Sequence, residues 1–187
     1  MKNIFSILKF TALILVFLAV LYPALIWGIA QFSPNNGKGE TVSVNGKVVG
    51  YTKIGQKFDK DIYFWGRPSA VDYNAAGSGG SNKGATNPEY LKLVETRIEA
   101  FTAKNPTVKR SEIPVEMVTA SGSGLDPDIS VEGAKIQVAR IAKARNITPE
   151  LIDSIISKQT NENLVEVLGP RKVNVLLLNI ELDNLTK

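Results

Sequence analysis

The chain of 187 residues contains no cysteine and no histidine. Without cysteine there is no disulfide framework and no thiolate nucleophile or ligand. Without histidine this chain cannot build a Ser-His-Asp triad or a histidine-ligated zinc site. The side chain that most often acts as general base near neutral pH is missing as well. Excess charge is also scarce: 22 basic and 18 acidic residues leave a formal net charge of +4. Lys2 and Lys9 are the only charged residues before position 38, so residues 38–187 set 20 basic against 18 acidic side chains. Such a balance lacks the clustered excess of a nucleic-acid footprint.

What is present begins with a stretch, positions 10 to 37, that holds no charge at all. Residues 10–32 are almost wholly apolar. As a helix, 23 residues extend about 34 Å, enough to cross a hydrocarbon core of about 30 Å. A cleaved signal peptide is the competing reading, because Lys2 and Lys9 resemble its basic n-region. The run of 23 residues is longer than an h-region, however. Pro23 predicts a kink or a freed carbonyl within the span, and Trp27 and Phe32 suit the far interface. The two lysines place the N-terminus in the cytoplasm and the remaining chain outside.

A polar linker over 33–40 leads to two short β-runs, 41–44 and 47–54, joined by Asn45-Gly46. That dipeptide takes the positive φ values of a type I′ turn, so the spacing predicts a hairpin. Phe58, Tyr63, Phe64 and Trp65 follow as an aromatic group suited to core or interface packing. Residues 63–87 then form a long stretch poor in helix and strand formers, with Gly77, Gly79, Gly80 and Gly84 among Ser and Asn. Loops of this length are functional or disordered. The aromatic group before it and the helix start after it hold both ends, which favours an ordered, backbone-rich surface.

Asn87-Pro88-Glu89 opens a helix expected to reach about Lys104, by capping, by proline at the first position and by acid at the positive helix end. Residues 113–119 read as a strand leading into a second glycine loop, 120–127. Ser130 caps a helix expected over 131–145, with Asn146 as its left-handed stop. Thr148-Pro149-Glu150 starts another, to about Lys158, and Gly169-Pro170 breaks the chain again. The segment 173–185 fits neither period cleanly, but Val175, Leu178 and Leu182 share one helical face, which favours helix. The whole predicts an α+β fold: one N-terminal membrane helix, then a compact extracytoplasmic domain over 41–187 with a small β-sheet and three to four helices.

Tests for chemistry in the loops exclude more than they admit. Gly77-Ser78-Gly79-Gly80-Ser81-Asn82 and Gly122-Ser123-Gly124-Leu125-Asp126-Pro127 both lack the last glycine of G-x-G-x-x-G, and no Walker motif exists. An unconventional nest of loop amides for a nucleotide phosphate stays open as an alternative. Ser121 or Ser123 as nucleophile would need a lysine base, and Lys83 is the only lysine in either loop. Asp72, Asp126 and Asp128 lack the ligand spacing of a calcium loop. Arg140 and Arg145 share a helix with Lys135 and Lys143, which reads as a solvated face.

Longer motifs carry a family resemblance. They are Gly66-Arg67-Pro68-Ser69, Tyr73-Asn74, Ser78-Gly79-Gly80-Ser81-Asn82, Thr86-Asn87-Pro88, the run 118–127, Gln137, residues 140–145, the run 171–176 and Leu178-Asn179. Together they resemble the C subunit of the Kdp-type high-affinity potassium-transporting P-type ATPase, over the whole chain. Two departures stand out, Ala85 for the family's usual Pro and Asp128 for a frequent His, which makes an essential ligand or proton role at position 128 doubtful. The resemblance implies an accessory subunit rather than an enzyme, embedded in the bilayer. Its partners would be an ATP-hydrolysing subunit and a channel-like potassium-translocating subunit. The family is described as a catalytic chaperone that raises ATP affinity, with no metal and no tightly bound cofactor, ATP being reached through the complex. Direct ATP contact conflicts with an extracytoplasmic domain, and the charge rule favours the topology. On this reading Ser78, Gly79, Gly80, Ser81, Asn82, Ser121, Gly122, Ser123 and Gly124 are candidates for nucleotide or subunit contact. Arg67, Tyr73, Asn74, Asp126, Gln137, Arg140, Arg171 and Asn174 are candidates for the subunit interface.

Overall fold

A computed structural model describes residues 2–160 and 171–185. The expected break at Gly169-Pro170 lies outside the described residues. The chain divides into two compact units, residues 1–49 and 50–187.

The first unit is dominated by an apolar helix, Asn3–Ala30, of 28 residues with mean hydropathy 2.6, long and apolar enough to cross a membrane. It comprises α1 (Lys2–Val16), a π-helical turn (Phe17–Leu21) and α2 (Tyr22–Ala30). Pro23 has no N–H to offer the carbonyl four residues back. Just before it the helix widens, and Tyr22 N–H bonds the Phe17 carbonyl, five residues away. The expected proline disturbance is therefore a π-bulge. Strands β1 (Thr41–Val44) and β2 (Lys47–Tyr51) pair as a hairpin. Asn45 and Gly46 turn it at φ 51° and 76°, as the type I′ turn demands.

In the second unit, helix α3 (Pro88–Lys104) starts as its sequence dictates: Asn87 Oδ1 accepts the Tyr90 N–H at 3.0 Å. Residues 113–119 are not a strand. They contain a short 3₁₀ turn, Val115–Met117, which follows another, Arg110–Glu112. Thr119 turns both its N–H and its Oγ onto the Val115 carbonyl, and Glu112 caps the Lys109 N–H, so local bonds replace a ladder. The strand sits further on. β3 (Asp128–Ser130) pairs antiparallel with β4 (Lys172–Asn174), with Ile129 opposite Val173.

The helix expected over 131–145 is split into α4 (Val131–Lys135) and α5 (Val138–Arg145). Gln137 makes the break. Its side-chain Nε2 takes the Gly133 carbonyl at 2.9 Å, the acceptor its own main-chain N–H would use in a continuous helix, and that N–H shifts to Ala134. Ser130 caps α4 through Gly133 N–H at 2.8 Å, and Asn146 ends α5 at φ 55°. Helix α6 (Pro149–Gln159) follows, and α7 (Val175–Leu185) closes the fold. The ambiguous last segment is thus strand and then helix. Asn174 sits at the switch, its Oδ1 accepting Leu177 N–H at 3.1 Å. The core gathers Phe64, Ile141, Ile152, Ile156, Val173, Leu178 and Leu182, all fully buried. Among the described residues the architecture is α+β, with an N-terminal apolar helix and two small antiparallel sheets.

Candidate functional site

The two glycine loops meet backbone to backbone. Ser69 organises the first: its Oγ accepts N–H bonds from Val71 at 3.2 Å and Tyr73 at 2.9 Å, and donates to the Gly124 carbonyl at 2.7 Å. Asp72 and Tyr73 turn there at φ 51° and 59°, in the left-handed region. Ser121 N–H donates to the Pro68 carbonyl at 3.1 Å. Gly79 N–H and Ser78 Oγ converge on the Ser123 carbonyl at 2.8 and 3.0 Å. Gly124 takes φ +68°, and a Cβ there would lie 2.6 Å from Val71 Cγ2 and 2.8 Å from the Gly79 carbonyl oxygen. At Gly80 a Cβ would stand 3.0 Å from the Gly122 carbonyl. Glycine is used at these two positions so that one backbone can lie against another.

Arg67 and Asp126 link the same loops by an ion pair of 3.0 Å, each side chain about 30% exposed or less. Asp126 Oδ1 also accepts the Asp128 N–H at 3.1 Å. The Tyr73 hydroxyl donates to the Arg67 carbonyl. Burial, reinforced by the nearby Asp126 carboxylate, pushes the Tyr73 phenol up to about 12.

The aromatic segment feeding the loops is held by side chains rather than by a neighbouring strand. Asn179 spans the backbone of Phe64, its Oδ1 accepting the N–H at 2.8 Å and its Nδ2 donating to the carbonyl at 3.0 Å. Gln137 spans Trp65 in the same way, at 2.8 and 3.2 Å. Arg140 donates to the carbonyls of Asp61 and Tyr63, to Asn105 Oδ1 and to Gln137 Oε1, and its guanidinium lies 4.0 Å from the Trp65 ring centre. Arg145 bonds the Ile62 carbonyl at 2.7 Å, the Leu182 carbonyl at 3.0 Å and Asp183 at 2.7 Å. Residues 61–65, which begin in a turn closed by Tyr63 N–H on the Lys60 carbonyl at 3.1 Å, thus have each carbonyl satisfied by a side chain. Burial lowers the Arg140 guanidinium to about 10, opposed weakly by Asp61.

These contacts correct one expectation. Lys135 and Lys143 are exposed, but Arg140 is buried and the Arg145 side chain is only 5% exposed. The face is not a solvated one, because the guanidiniums are needed to satisfy carbonyls that no strand pairs with.

The remaining candidates are placed as follows. Asn74 Oδ1 accepts the Ala76 N–H at 3.0 Å in an exposed turn, and Asn82 turns at φ 52°. Ser81 is half-buried and Gly122 exposed. Asn174 is buried and bonds the Thr52 carbonyl at 2.7 Å. Arg171 is exposed and lines a recess of about 280 Å³ with Arg67, Asp126, Asp128 and Lys172. Ser78, Gly79, Gly80, Ser121, Gly122, Ser123 and Gly124 are brought together with Arg67, Tyr73 and Asp126, whereas Gln137 and Arg140 bind the backbone of residues 61–65. Ser121 is buried and Lys83 bonds Glu89 at 3.1 Å. Asp72, Asp126 and Asp128 pair separately with Lys57, Arg67 and Lys172, and no metal-ligand cluster occurs among the described residues. Asn105, Arg97 and Ser69 were absent from the expected site. Asn105 carried only the signal of a helix end, and Asn179 only that of a polar residue within an apolar helical run.

Beside the loops lies a groove of about 600 Å³ between residues 57–73 and the C-terminal half of α3, floored by Phe58, Trp65, Phe101 and Met117. Arg67 and Arg97 line it.

The sequence matches the family described as K+-transporting ATPase, c chain (KdpC), over residues 4–184. It is 62% identical over 185 residues to a potassium-transporting ATPase KdpC subunit of Flavobacterium psychrophilum, covering 99% of this chain and 100% of that protein. A protein of the same description from Bacteroides thetaiotaomicron is 47% identical over 186 residues, 98% of each chain. One from Caldanaerobacter subterraneus is 46% identical over 176 residues, 94% of this chain and 91% of that protein. With a family match and identities of this size over nearly the full length, the chain belongs to the KdpC family of K+-transporting ATPase c chains.

Proposed function

We propose that this chain is a non-catalytic accessory subunit of a potassium-transporting ATPase complex, held in the bilayer by its apolar helix. Lys2 and Lys9 keep the N-terminus cytoplasmic, and residues 38–187 stand outside. There the joined glycine loops dock on the ATP-hydrolysing and channel-like subunits and stabilise the assembly. Raised ATP affinity of the hydrolysing subunit is then an effect of assembly, transmitted through the complex.

One observation carries this reading: the loops are tied to each other by main-chain and serine bonds and by glycine-only packing, which makes a preformed surface rather than a flexible one. Preorganisation lowers the ordering cost of association. The same bonds weigh against a phosphate nest. The amides of Gly79, Ser121 and Gly124 already donate within the loop pair, so an anion would have to displace them. Ser78 to Asn82 and Ser121 to Gly124 are accordingly assigned to loop packing and subunit contact.

The test is to purify the complex with a chain lacking residues 38–187. Loss of assembly, or a lower ATP affinity of potassium-stimulated hydrolysis in what assembles, is expected. Intact assembly with unchanged transport and ATP dependence refutes the reading. Proteolysis from each face of sealed vesicles tests the topology, with cleavage of the large domain expected only from the outside. Cleavage from the cytoplasmic face would overturn that topology and restore direct ATP contact, which saturable ATP binding by the full chain would then establish.

A further inference from the structure

The groove beside the loops has an unusual charge balance. Lys57 pairs with Asp72 at 2.7 Å, Lys104 with Asp61 at 2.9 Å, and Arg67 with Asp126 at 3.0 Å. Arg97 differs. Its Nη1 donates to the Val118 carbonyl at 3.1 Å, and it forms no ion pair among the described residues. Arg67 adds unspent capacity, because its Nε is buried and bonds no acceptor among them. Burial holds the Arg97 guanidinium below its ordinary value, so an acceptor carboxylate brought to it relieves an existing penalty. Beneath lies an apolar floor in which Phe101 and Met117 are each 5% exposed.

We infer that this groove receives a short peptide segment of another subunit of the same complex, an apolar side chain on the aromatic floor and a neighbouring carboxylate on Arg97. A cavity of about 600 Å³ is of the size that holds a few residues or a small ligand. The rim carboxylates Asp59 and Asp72 oppose a polyanion such as a nucleoside triphosphate but leave room for one negative charge. Arg binds carboxylate through a planar fork, which gives the contact direction as well as attraction. Continuity supplies the identity of the occupant. Arg67, Pro68, Ser69 and Tyr73 form one wall of the groove and also belong to the loop surface proposed above to dock on the other subunits. The inference rests on that reading.

The experiment places the photoreactive residue p-benzoylphenylalanine at Ala100, an exposed position on the groove wall, in the chain within the intact purified complex. Irradiation is expected to join it to a peptide of another subunit, identified by mass spectrometry, with Asp or Glu within a few residues of the attachment point. The same probe at Lys92, exposed on α3 but outside the groove, should give at least about tenfold less of that product. Arg97→Gln should lower the yield from position 100 about fivefold, and Arg97→Lys should restore part of it. Attachment to lipid, to added nucleotide or to a second copy of this chain overturns the inference, as does no attachment in an assembled complex. If the Arg97 variants prevent assembly, the comparison of positions 100 and 92 decides alone. Failure of the groove is distinguishable from failure of the docking reading: the former leaves the 38–187 deletion damaging, the latter leaves it harmless.

Discussion

Glycines in the two loops should respond to alanine in sharply different ways, although the sequence shows them as one undifferentiated Gly/Ser run. Gly124 is the demanding position. Its φ of +68° costs a side-chain-bearing residue about 1–2 kcal/mol. The new methyl would also lie 2.8 Å from the Gly79 carbonyl oxygen and 3.2 Å from Ser69 Oγ. To relieve this the loops must separate, which strains the Gly79-to-Ser123 and Ser69-to-Gly124 bonds of 2.8 and 2.7 Å. Losing two such bonds costs about 1 kcal/mol each. Gly124→Ala should therefore destabilise by about 3–4 kcal/mol, against an unfolded-state gain of about 0.4–1 kcal/mol that every such substitution receives. For a domain near this size the net loss lowers Tm by roughly 5–12 °C. At Gly77 and Gly84 an added Cβ meets nothing within 4 Å and no positive φ applies. There only the unfolded-state term remains, and alanine should be neutral or stabilising by up to about 1 kcal/mol.

The assay is urea unfolding of the full chain in mild detergent, followed by near-ultraviolet circular dichroism, with thermal melts alongside. The three variants share the same residue change and the same exposure to solvent in the unfolded state, so the differences report native geometry. Equal effects at positions 124, 77 and 84, or a larger loss at 77 or 84 than at 124, would refute the loop-against-loop packing. The docking surface proposed from it would fall as well.

Asn179→Ala removes both bonds to Phe64 and leaves a buried N–H and carbonyl without partners, for about 2–6 kcal/mol at about 1–3 kcal/mol per group. A loss under 1 kcal/mol in urea would show that water or another side chain replaces the amide. Tyr73 supplies a pH prediction. Its folded pKa of about 12 lies above the ordinary 10.0, so the folded state holds the phenolic proton more tightly. The associated stability is complete below pH 10 and is lost as pH rises through 12. Phenolate absorbance should show a late component near 12 that disappears in Tyr73→Phe; superimposable titrations of the two chains would refute the buried phenol.

Local signals were legible at several positions where one residue decides one bond, although Thr148 precedes α6 without a side-chain cap bond. Asn87, Ser130 and Asn146 each do at a helix end what their side chains favour, and Asn45-Gly46 forms its turn. Signals that depend on distant partners were not. Residues 113–119 look apolar enough for a strand, but β-pairing needs a second strand, and the segment that finds one is 128–130, whose partner lies more than forty residues downstream. The last segment looked ambiguous because it is two elements, and its polar Asn174 closes one and caps the other. Of the candidate site, the glycine loops were legible as an ordered surface, since the aromatic group and the helix cap fix their ends. The role of Arg140 was not, because helical periodicity cannot distinguish a solvated arginine from one that reaches across the fold to a carbonyl.

That last distinction bears on how the loop surface keeps its shape. A strand is usually positioned by pairing along its length, which commits its backbone groups to a neighbour. Residues 61–65 take instead two amides and two guanidiniums, drawn from α5, the turn before it and α7. Those side chains are themselves buried or anchored in the core, and Gln137 also fixes the break between α4 and α5. Packing of the helices is thus coupled to the position of Arg67, only two residues beyond Trp65, and through its ion pair with Asp126 to both glycine loops. Helix packing can therefore set the loop surface without any residue of α5 or α7 reaching a partner. Substitutions at Gln137, Arg140 or Asn179 should disturb assembly by moving the surface rather than by removing a contact. Their effects should follow the loss of domain stability, whereas those of an exposed groove residue should not.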